Sequence, residues 1–406
     1  MNQDTDIGER VAELRRRRGM TQEELAEATE LSVPTIKKIE QGRGGARMET
    51  YHAIARFFGV VTLAFAAPTA PAPRDEYQDP SLAAMRAAIN PAIDISGEPM
   101  FDVGVDEPDL RMLGRAISSV SLAYYADHYD DVAQLTPSVI RSAHLHVREL
   151  DGRDQEQAQR LRADVLGVAG RYLIQVRQHD LALIALRSSL QDALAVGDQP
   201  LVAAAISSQA WSLMRQARFS EVESLCVRTA DQIEPRMSRA TPEQLSAWGW
   251  LLLRAGAAAA RNNRGSEARE FHSMAAAAGA RLPEEVDTAE HLMFGSTTVS
   301  LKSIEAELIL GHPDRALELS QQIPDDASTR LKTGVNRHHI DRAKAYVQTG
   351  DSEAAFGVLS MLRKKSPEWL RYQQAAREVT EDILASPKRM PSRHQREMAD
   401  FLGVPM

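Results

Sequence analysis

A stripe of Val33, Pro34, Lys37 and Lys38 would line one face of a short helix whose opposite face carries Ile36 and Ile39. Two apolar side chains hold such a helix down while two ammonium groups look outward, a pattern suited to charge and hydrogen-bond recognition rather than to bond breaking. The segment before it, TQEELAEATELS at 21–32, supplies the mount. Thr21 precedes an apolar-periodic run and has Glu24 three residues on. Its hydroxyl can accept from a free backbone N–H while the carboxylate reaches back, which makes a capping box. Leu25, Ala26 and Thr29 then fall on one buried face, with Gln22, Glu23 and Glu27 outside. Leu31 follows in the turn, and Ser32 caps the second helix. Pro34 lies in its first turn, where the missing N–H has no intrahelical partner to lose. Two short helices joined by a tight turn are the layout of a DNA-reading helix-turn-helix.

From Ile7 to Val60 the chain resembles the lambda-repressor and Cro-like (XRE) DNA-binding domain, a five-helix unit. IGERVAELRRRRGMTQEELA, SVPTIKKIEQG and METYHAIARFFGV carry the likeness. It implies that Gln22 contacts a phosphate or base edge, and that Ser32, Val33, Pro34, Thr35, Lys37 and Lys38 face the major groove of double-stranded DNA. Gln41 and Arg43 would touch the backbone after the recognition helix, and Arg15 and Glu40 would form a structural ion pair. Arg16, Arg17 and Arg18 read as a solvated or phosphate-facing run. One position departs from the family. Gly usually ends the first helix of the motif, where left-handed backbone is needed, and Glu30 stands here, at a cost of about 1 kcal/mol.

A chain of 406 residues should hold two or three domains with ample core. There is no apolar run near 18 residues, so no membrane span is expected. The start, MNQDTDIGER, is polar and acidic where a secretion signal needs a cationic and then an apolar run, so the expected location is cytoplasmic. The single cysteine, Cys226, sits among helix formers and reads as a buried thiol. The net charge is −8, yet residues 1–60 hold ten Lys and Arg against ten Asp and Glu. The excess acid therefore belongs to the remainder, which would repel DNA and favour release from non-specific sites.

After residues 1–60 the texture changes. Residues 61–107 form a Pro-rich linker, with four prolines between Pro68 and Pro80 and a short helix at Leu82 to Ile89. VTLAF at 61–65 reads as a short strand or as the tail of the last DNA-domain helix. Residues 108–386 are helical and repetitive, and 387–406 form a tail helix. The expected fold class is all-α throughout. Breaks fall at RQHD (177–180), QARF (216–219), NNRG (262–265), LGHP (310–313) and QTGD (348–351), about 37 to 48 residues apart, each followed by an Ala- and Leu-rich helix. That is the pattern of an α-solenoid of helix hairpins. GHPDRALEL and TGDSEAAF resemble tetratricopeptide repeats.

The two halves together resemble actinobacterial XRE regulators with a C-terminal tetratricopeptide domain, and more loosely the peptide-sensing regulators of Gram-positive bacteria. This implies a regulator whose repeat domain senses an effector, a peptide or a small molecule. First helices of stacked hairpins line a concave groove, and here they would present Tyr172, Gln175, Gln209, Trp211, Trp248, Arg254, Thr297, Asn336, Arg337 and His339. A single such domain reads too few base pairs for a genome, so a homodimer on an inverted-repeat operator is expected. A second reading is a protein-interaction scaffold or antitoxin-like component that autoregulates its operon and holds a protein partner on the repeats. No cofactor or metal is expected, and no enzyme. The histidines lack ligand spacing, and there is no phosphate-binding Gly loop or nucleophile elbow.

Overall fold

The computed structural model describes residues 7–8, 11–12, 14–16, 18, 20–42, 48–58, 80–95, 99–100, 108–287, 293–323, 331–385 and 391–405. Arg17, Arg43 and the VTLAF run lie outside these residues. The described residues are helical almost throughout, and the architecture is an N-terminal helix-turn-helix unit followed by a tetratricopeptide-like α-solenoid. None of the described helices is long and apolar enough to cross a membrane.

In the N-terminal unit, helical residues between 7 and 16 precede α1 (Gln22–Ala28), α2 (Val33–Glu40) and α3 (Met48–Phe58). Val11, Leu25, Ile36 and Ile54 are fully buried and form one core with Ile39, Tyr51 and Phe58. Gly8 lets the first helix meet the end of α2: a Cβ there would stand 2.2 Å from the Ile39 carbonyl oxygen. Any larger residue would force the two helices apart.

The expected linker helix is α4 (Pro80–Ile89), and it is no free spacer. Met85, Ala88 and Ile89 are buried in the main core of the solenoid. Six hairpins follow among the described residues. They are α5 (Leu110–Tyr125) with α6 (Tyr129–Glu149), α7 (Gly152–Gln175) with α8 (His179–Ala195), and α9 (Gln199–Arg215) with α10 (Phe219–Ile233). Then come α11 (Pro242–Arg261) with α12 (Gly265–Gly279), α13 (Ser296–Ile309) with α14 (Pro313–Ser320), and α15 (Lys332–Gln348) with α16 (Ser352–Lys365). Each first helix packs against the first helices before and after it, while each second helix wedges between its partner and the next first helix. That arrangement puts the first helices on the inner face.

One device closes all six turns. The first helix ends, one residue takes positive φ, and the next N–H reaches back to a carbonyl in the last turn. The left-handed residues are Asp127, Arg177, Ala217, Asn263, Gly311 and Gly350. The returning bonds include Gln178 N to Leu173 O and Asp351 N to Tyr346 O, both 2.8 Å. Each is a Schellman cap, which satisfies helix-end carbonyls and reverses the chain in three residues. The sequence breaks marked five of these turns; the Asp127 turn carried no such mark.

After α16 come α17 (Pro367–Arg371), α18 (Gln374–Leu384) and α19 (Arg393–Leu402), and they return to the start of the solenoid. The Tyr129 amide donates to Glu368 Oε2 at 2.9 Å, and the Tyr129 and Tyr372 rings lie 5.9 Å apart. Gln373 donates to Gln175 at 3.3 Å. Trp369, Leu370, Val379, Met398 and Leu402 share one core with residues of α5, α6 and α7. The expected tail helix is thus a structural part of the solenoid, whose two ends meet through side chains.

Candidate functional site

The helix-turn-helix is built as its residues dictate. Thr21 Oγ1 accepts from the Glu24 amide at 3.1 Å and Glu24 Oε2 accepts from the Thr21 amide at 2.7 Å, the reciprocal capping box. The Thr21 backbone N–H, and then its hydroxyl, hold the Glu24 carboxyl below its usual value. Glu30 carries the turn at φ 56, and Leu31 N donates back to Ala26 O at 2.9 Å. Ser32 Oγ accepts from Thr35 N at 3.2 Å and caps α2.

On α2, Ile36 and Ile39 are buried, while Ser32, Pro34, Lys37, Lys38 and then Gln41 are exposed; Val33 and Thr35 are half-buried. The Ser32 and Thr35 hydroxyls share a 2.7 Å hydrogen bond, and Lys37 Nζ lies 3.6 Å from Glu23 across the turn. That pair is solvent-exposed and contributes little to stability. The α2 face thus presents two exposed ammonium groups and two hydroxyls on a capped helix, chemistry suited to phosphate oxygens and base edges.

A clamp fixes α2 from behind. Arg15 Nε and Nη2 donate to the two Glu40 oxygens at 2.7 and 2.8 Å, Nη1 donates to Met20 O at 2.8 Å, and Gln22 Nε2 donates to Glu40 Oε2 at 2.7 Å. Burial pushes the Glu40 carboxyl up, but hydrogen bonds from Arg15 and Gln22 and the charges of Arg15 and Arg16 outweigh it, leaving the carboxyl below its usual value. Gln22 is thereby held at the edge of the α2 face. Arg18, expected in a solvated or phosphate-facing run, is exposed but engaged within the unit. Its guanidinium lies 5.3 Å from the Phe57 and Phe58 ring centres and donates to both residues' carbonyls, at 3.0 and 3.1 Å, which caps the end of α3. Arg16 donates to Ala12 O at 3.1 Å.

The ten residues expected on the inner face separate into four groups. Trp248 is enclosed in the core of the middle hairpins, and Tyr172 is buried edge-on against Tyr129 at 5.7 Å. Gln175, Asn336 and His339 are buried where the two ends meet or beside that joint. Asn336 donates to Ser366 Oγ at 2.9 Å and Asp127 Oδ2 at 3.4 Å. Thr297 is half-buried at the start of α13, its amide donating to Glu285 at 2.7 Å. Gln209, Trp211, Arg254 and Arg337 keep accessible surface.

Around this last group stand residues that the sequence did not single out. The Arg254 guanidinium lies 5.5 Å from the Trp211 ring centre and 5.1 Å from that of Trp250, and its Nε donates to Ser207 Oγ at 3.3 Å. Arg261 Nη2 meets Glu305 at 2.6 Å, and Lys302 shares that carboxylate at 3.0 Å. Arg337 pairs with Asp341 at 3.3 Å. Desolvation, then the charges of Arg337 and Arg261, bring Arg215 down to about 10, and desolvation brings Arg254 to about 10 as well. Both remain cationic at neutral pH. Cys226 is fully buried nearby, and burial pushes its thiol up to about 12, which makes it unreactive.

A family model described as a helix-turn-helix domain matches residues 6–64. No curated protein matches the chain. Among solved structures, Bacillus thuringiensis PlcR in complex with the peptide PapR7 and DNA is similar at 11% identity, with 86% of this chain and 99% of that chain covered and a TM-score of 0.37.

Proposed function

We propose that the protein is a cytoplasmic, homodimeric transcriptional regulator that reads an inverted-repeat operator with α2 and senses a peptide or small-molecule effector on the inner face of its solenoid. The observation that carries the reading is the α2 face itself. Exposed Ser32, Lys37 and Lys38 stand on a helix capped at its start and clamped at its end by Arg15 and Glu40. A protein with a merely structural helix pair has no need of that combination. The α2 face offers few hydrogen-bonding side chains, so two copies at a fixed separation would supply the missing discrimination. An effector acts on such a dimer by binding one separation more tightly than the other.

Duplexes selected from a random library by the full chain test the reading. Inverted repeats with half-sites one helical turn or a multiple apart are expected, with light scattering giving two chains per particle. Enrichment of isolated half-sites by a monomer sinks the dimer. No enrichment at all sinks DNA reading.

A further inference from the structure

α5 begins the solenoid with no hairpin stacked before it among the described residues, and the two ends close through Tyr129 of α6 and Gln175 of α7. Six residues of α5 are exposed: Arg111, Met112, Arg115, Ser118, Ser119 and Leu122. At about 100° per residue they share roughly one third of the helix circumference. Leu113, Ile117, Val120 and Tyr124 are buried on the opposite side. Tyr124 is hydrogen-bonded to Gln175, within reach of Arg171 and Arg254, so the exposed face looks away from the inner face of the solenoid. The outer side of a first repeat has no neighbour to cover it and is ordinarily polar. This one is not. Met112 is 57% and Leu122 71% exposed. Ser118 Oγ donates to Gly114 O at 2.9 Å and Ser119 Oγ to Arg115 O at 3.0 Å. Both hydroxyls are satisfied within the helix, which leaves the middle of the face small and in no need of water.

The distribution of charge selects the partner. Arg111 and Arg115 stand in the first half of α5, and neither comes within ion-pair distance of a carboxylate among the described residues. The acid lies at the other end. Asp130 and Asp131, both exposed, open α6 directly after the short turn that ends α5. A second copy of α5 laid antiparallel, with a two-fold axis at Ser118 and Ser119, therefore brings Arg111 and Arg115 towards Asp130 and Asp131 of the partner subunit, and the reverse holds by symmetry. About the same axis Leu122 falls beside the stem of the partner's Arg115, and Met112 beside the partner's Tyr125, an aromatic ring that is half-buried in its own protomer. Small serines at the crossing permit the close approach that helix packing needs. A patch that met only a foreign protein would have no reason to carry both halves of its own charge complement.

We propose that the outer face of α5 is the surface through which two copies of this chain pair, antiparallel about Ser118 and Ser119. This rests on the homodimer reading above and names the interface that makes the dimer. Apolar contact at Met112 and Leu122 supplies the attraction, and the paired charges at the two ends fix the direction.

The test uses the full chain, alone and on its selected operator, with sedimentation velocity over a range of concentrations. Leu122→Glu should weaken the dimer by about tenfold or more while leaving the helix content unchanged, since the site is exposed in the single chain. Two charge variants go further. Arg111→Glu with Arg115→Glu makes both ends of the face acidic, and Asp130→Arg with Asp131→Arg makes both basic. Each should lose the dimer by about tenfold or more through like-charge repulsion, and an equimolar mixture of the two should recover it as a heterodimer. Such recovery also shows that both variants fold. Ser118→Cys or Ser119→Cys, close to the axis, should form a disulfide between chains under mild oxidation, while exposed Gln191→Cys on α8 should not. The native Cys226 is buried and does not interfere. A dimer indifferent to Leu122→Glu and to both charge variants upholds the homodimer reading and overturns this interface. Loss of the dimer in both charge variants without recovery on mixing overturns the antiparallel pairing. A native chain that stays monomeric at every concentration, with operator and without, overturns the homodimer reading and the interface together.

Discussion

Arg56 of α3 donates from Nη2 to the carbonyl oxygen of Leu310, 254 residues away, at 2.9 Å. Leu310 is the last residue before the left-handed Gly311 turn, and a Cβ at Gly311 would stand 2.9 Å from that same guanidinium nitrogen. The helix-turn-helix unit thus caps the end of a solenoid helix, where unsatisfied carbonyls and the helix dipole both favour a cation. It is a direct mechanical joint between the unit that carries α2 and a first helix of the inner face.

Arg56→Ala should loosen that joint without unfolding either part. An exposed charge-assisted bond contributes about 1 kcal/mol, so the docked population should fall several-fold. Small-angle scattering of the full chain should show a larger radius of gyration. An unchanged scattering curve would mean that other contacts set the docking.

Arg15→Ala should destabilise the N-terminal unit by about 2–3 kcal/mol, below the full cost of breaking a buried pair because the pair keeps some exposure. The pH dependence follows from Glu40. Its folded pKa is depressed, so its stabilising contribution is complete above the ordinary carboxylate range and is lost as pH falls through the folded value. Urea unfolding of this unit at pH 7 and pH 3 checks both, with Arg15→Ala flattening the difference. Equal midpoints at pH 7 would place both groups in solvent.

Lys37→Ala or Lys38→Ala should cost about 1–3 kcal/mol on the selected operator if the side chain reads a base edge, and should weaken all sequences alike if it meets phosphate. Electrophoretic shifts with operator and scrambled duplexes separate the two. A double variant with undiminished affinity removes these lysines from the interface.

Glu30→Gly should stabilise the turn by up to about 1 kcal/mol, since Glu30 holds φ 56 with an exposed side chain. Hydrogen exchange at the Leu31 amide, which closes the turn onto Ala26, should slow. Faster exchange would mean that the greater freedom of glycine in the unfolded chain dominates.

Burial brings His144, His179 and His272 each down to about 4. A base whose folded pKa lies below its unfolded value of about 6.5 stabilises while neutral. The solenoid should therefore lose stability as pH falls from about 6.5 towards 4. Thermal midpoints across that window should drop, and His272→Gln should lessen the slope. An identical slope in that variant would assign the loss to other groups.

The local layer of this fold is plain in the residues. Thr21 with Glu24 announces α1, Ser32 with Pro34 announces α2, and alternating burial along both follows from apolar spacing. Five hairpin turns are marked by polar or glycine clusters because a left-handed residue must sit there. Asp127 does the same work between Ala126 and His128, but nothing in those neighbours signals it. The inner face is less legible. First helices are apolar and alanine-rich on several sides, so periodicity cannot tell that Trp248 turns into the core while Trp250 turns towards Arg254. Arg215 and Arg261 end their helices, where an arginine already has a reason to be as a complement to the helix dipole. Arg18 finds its partners 39 and 40 residues away, beyond any local pattern.

The meeting of the two ends of the solenoid changes how this chain must fold. An open repeat array is quasi-one-dimensional, and unfolding can spread from either end with each hairpin leaning only on its neighbours. Here Tyr129 and Glu368, 239 residues apart, and Gln175 and Gln373, 198 apart, tie the first two hairpins to the segment that follows the last one. Their sequence separation makes them the slow step, because local hairpins form before so large a loop can close. Once the chain is closed, no terminal hairpin is left to fray, and a break anywhere must open the whole ring. Refolding should therefore show an early phase in helix content and a later one in the Tyr129–Tyr372 packing, with cooperativity that a linear repeat protein of this length lacks.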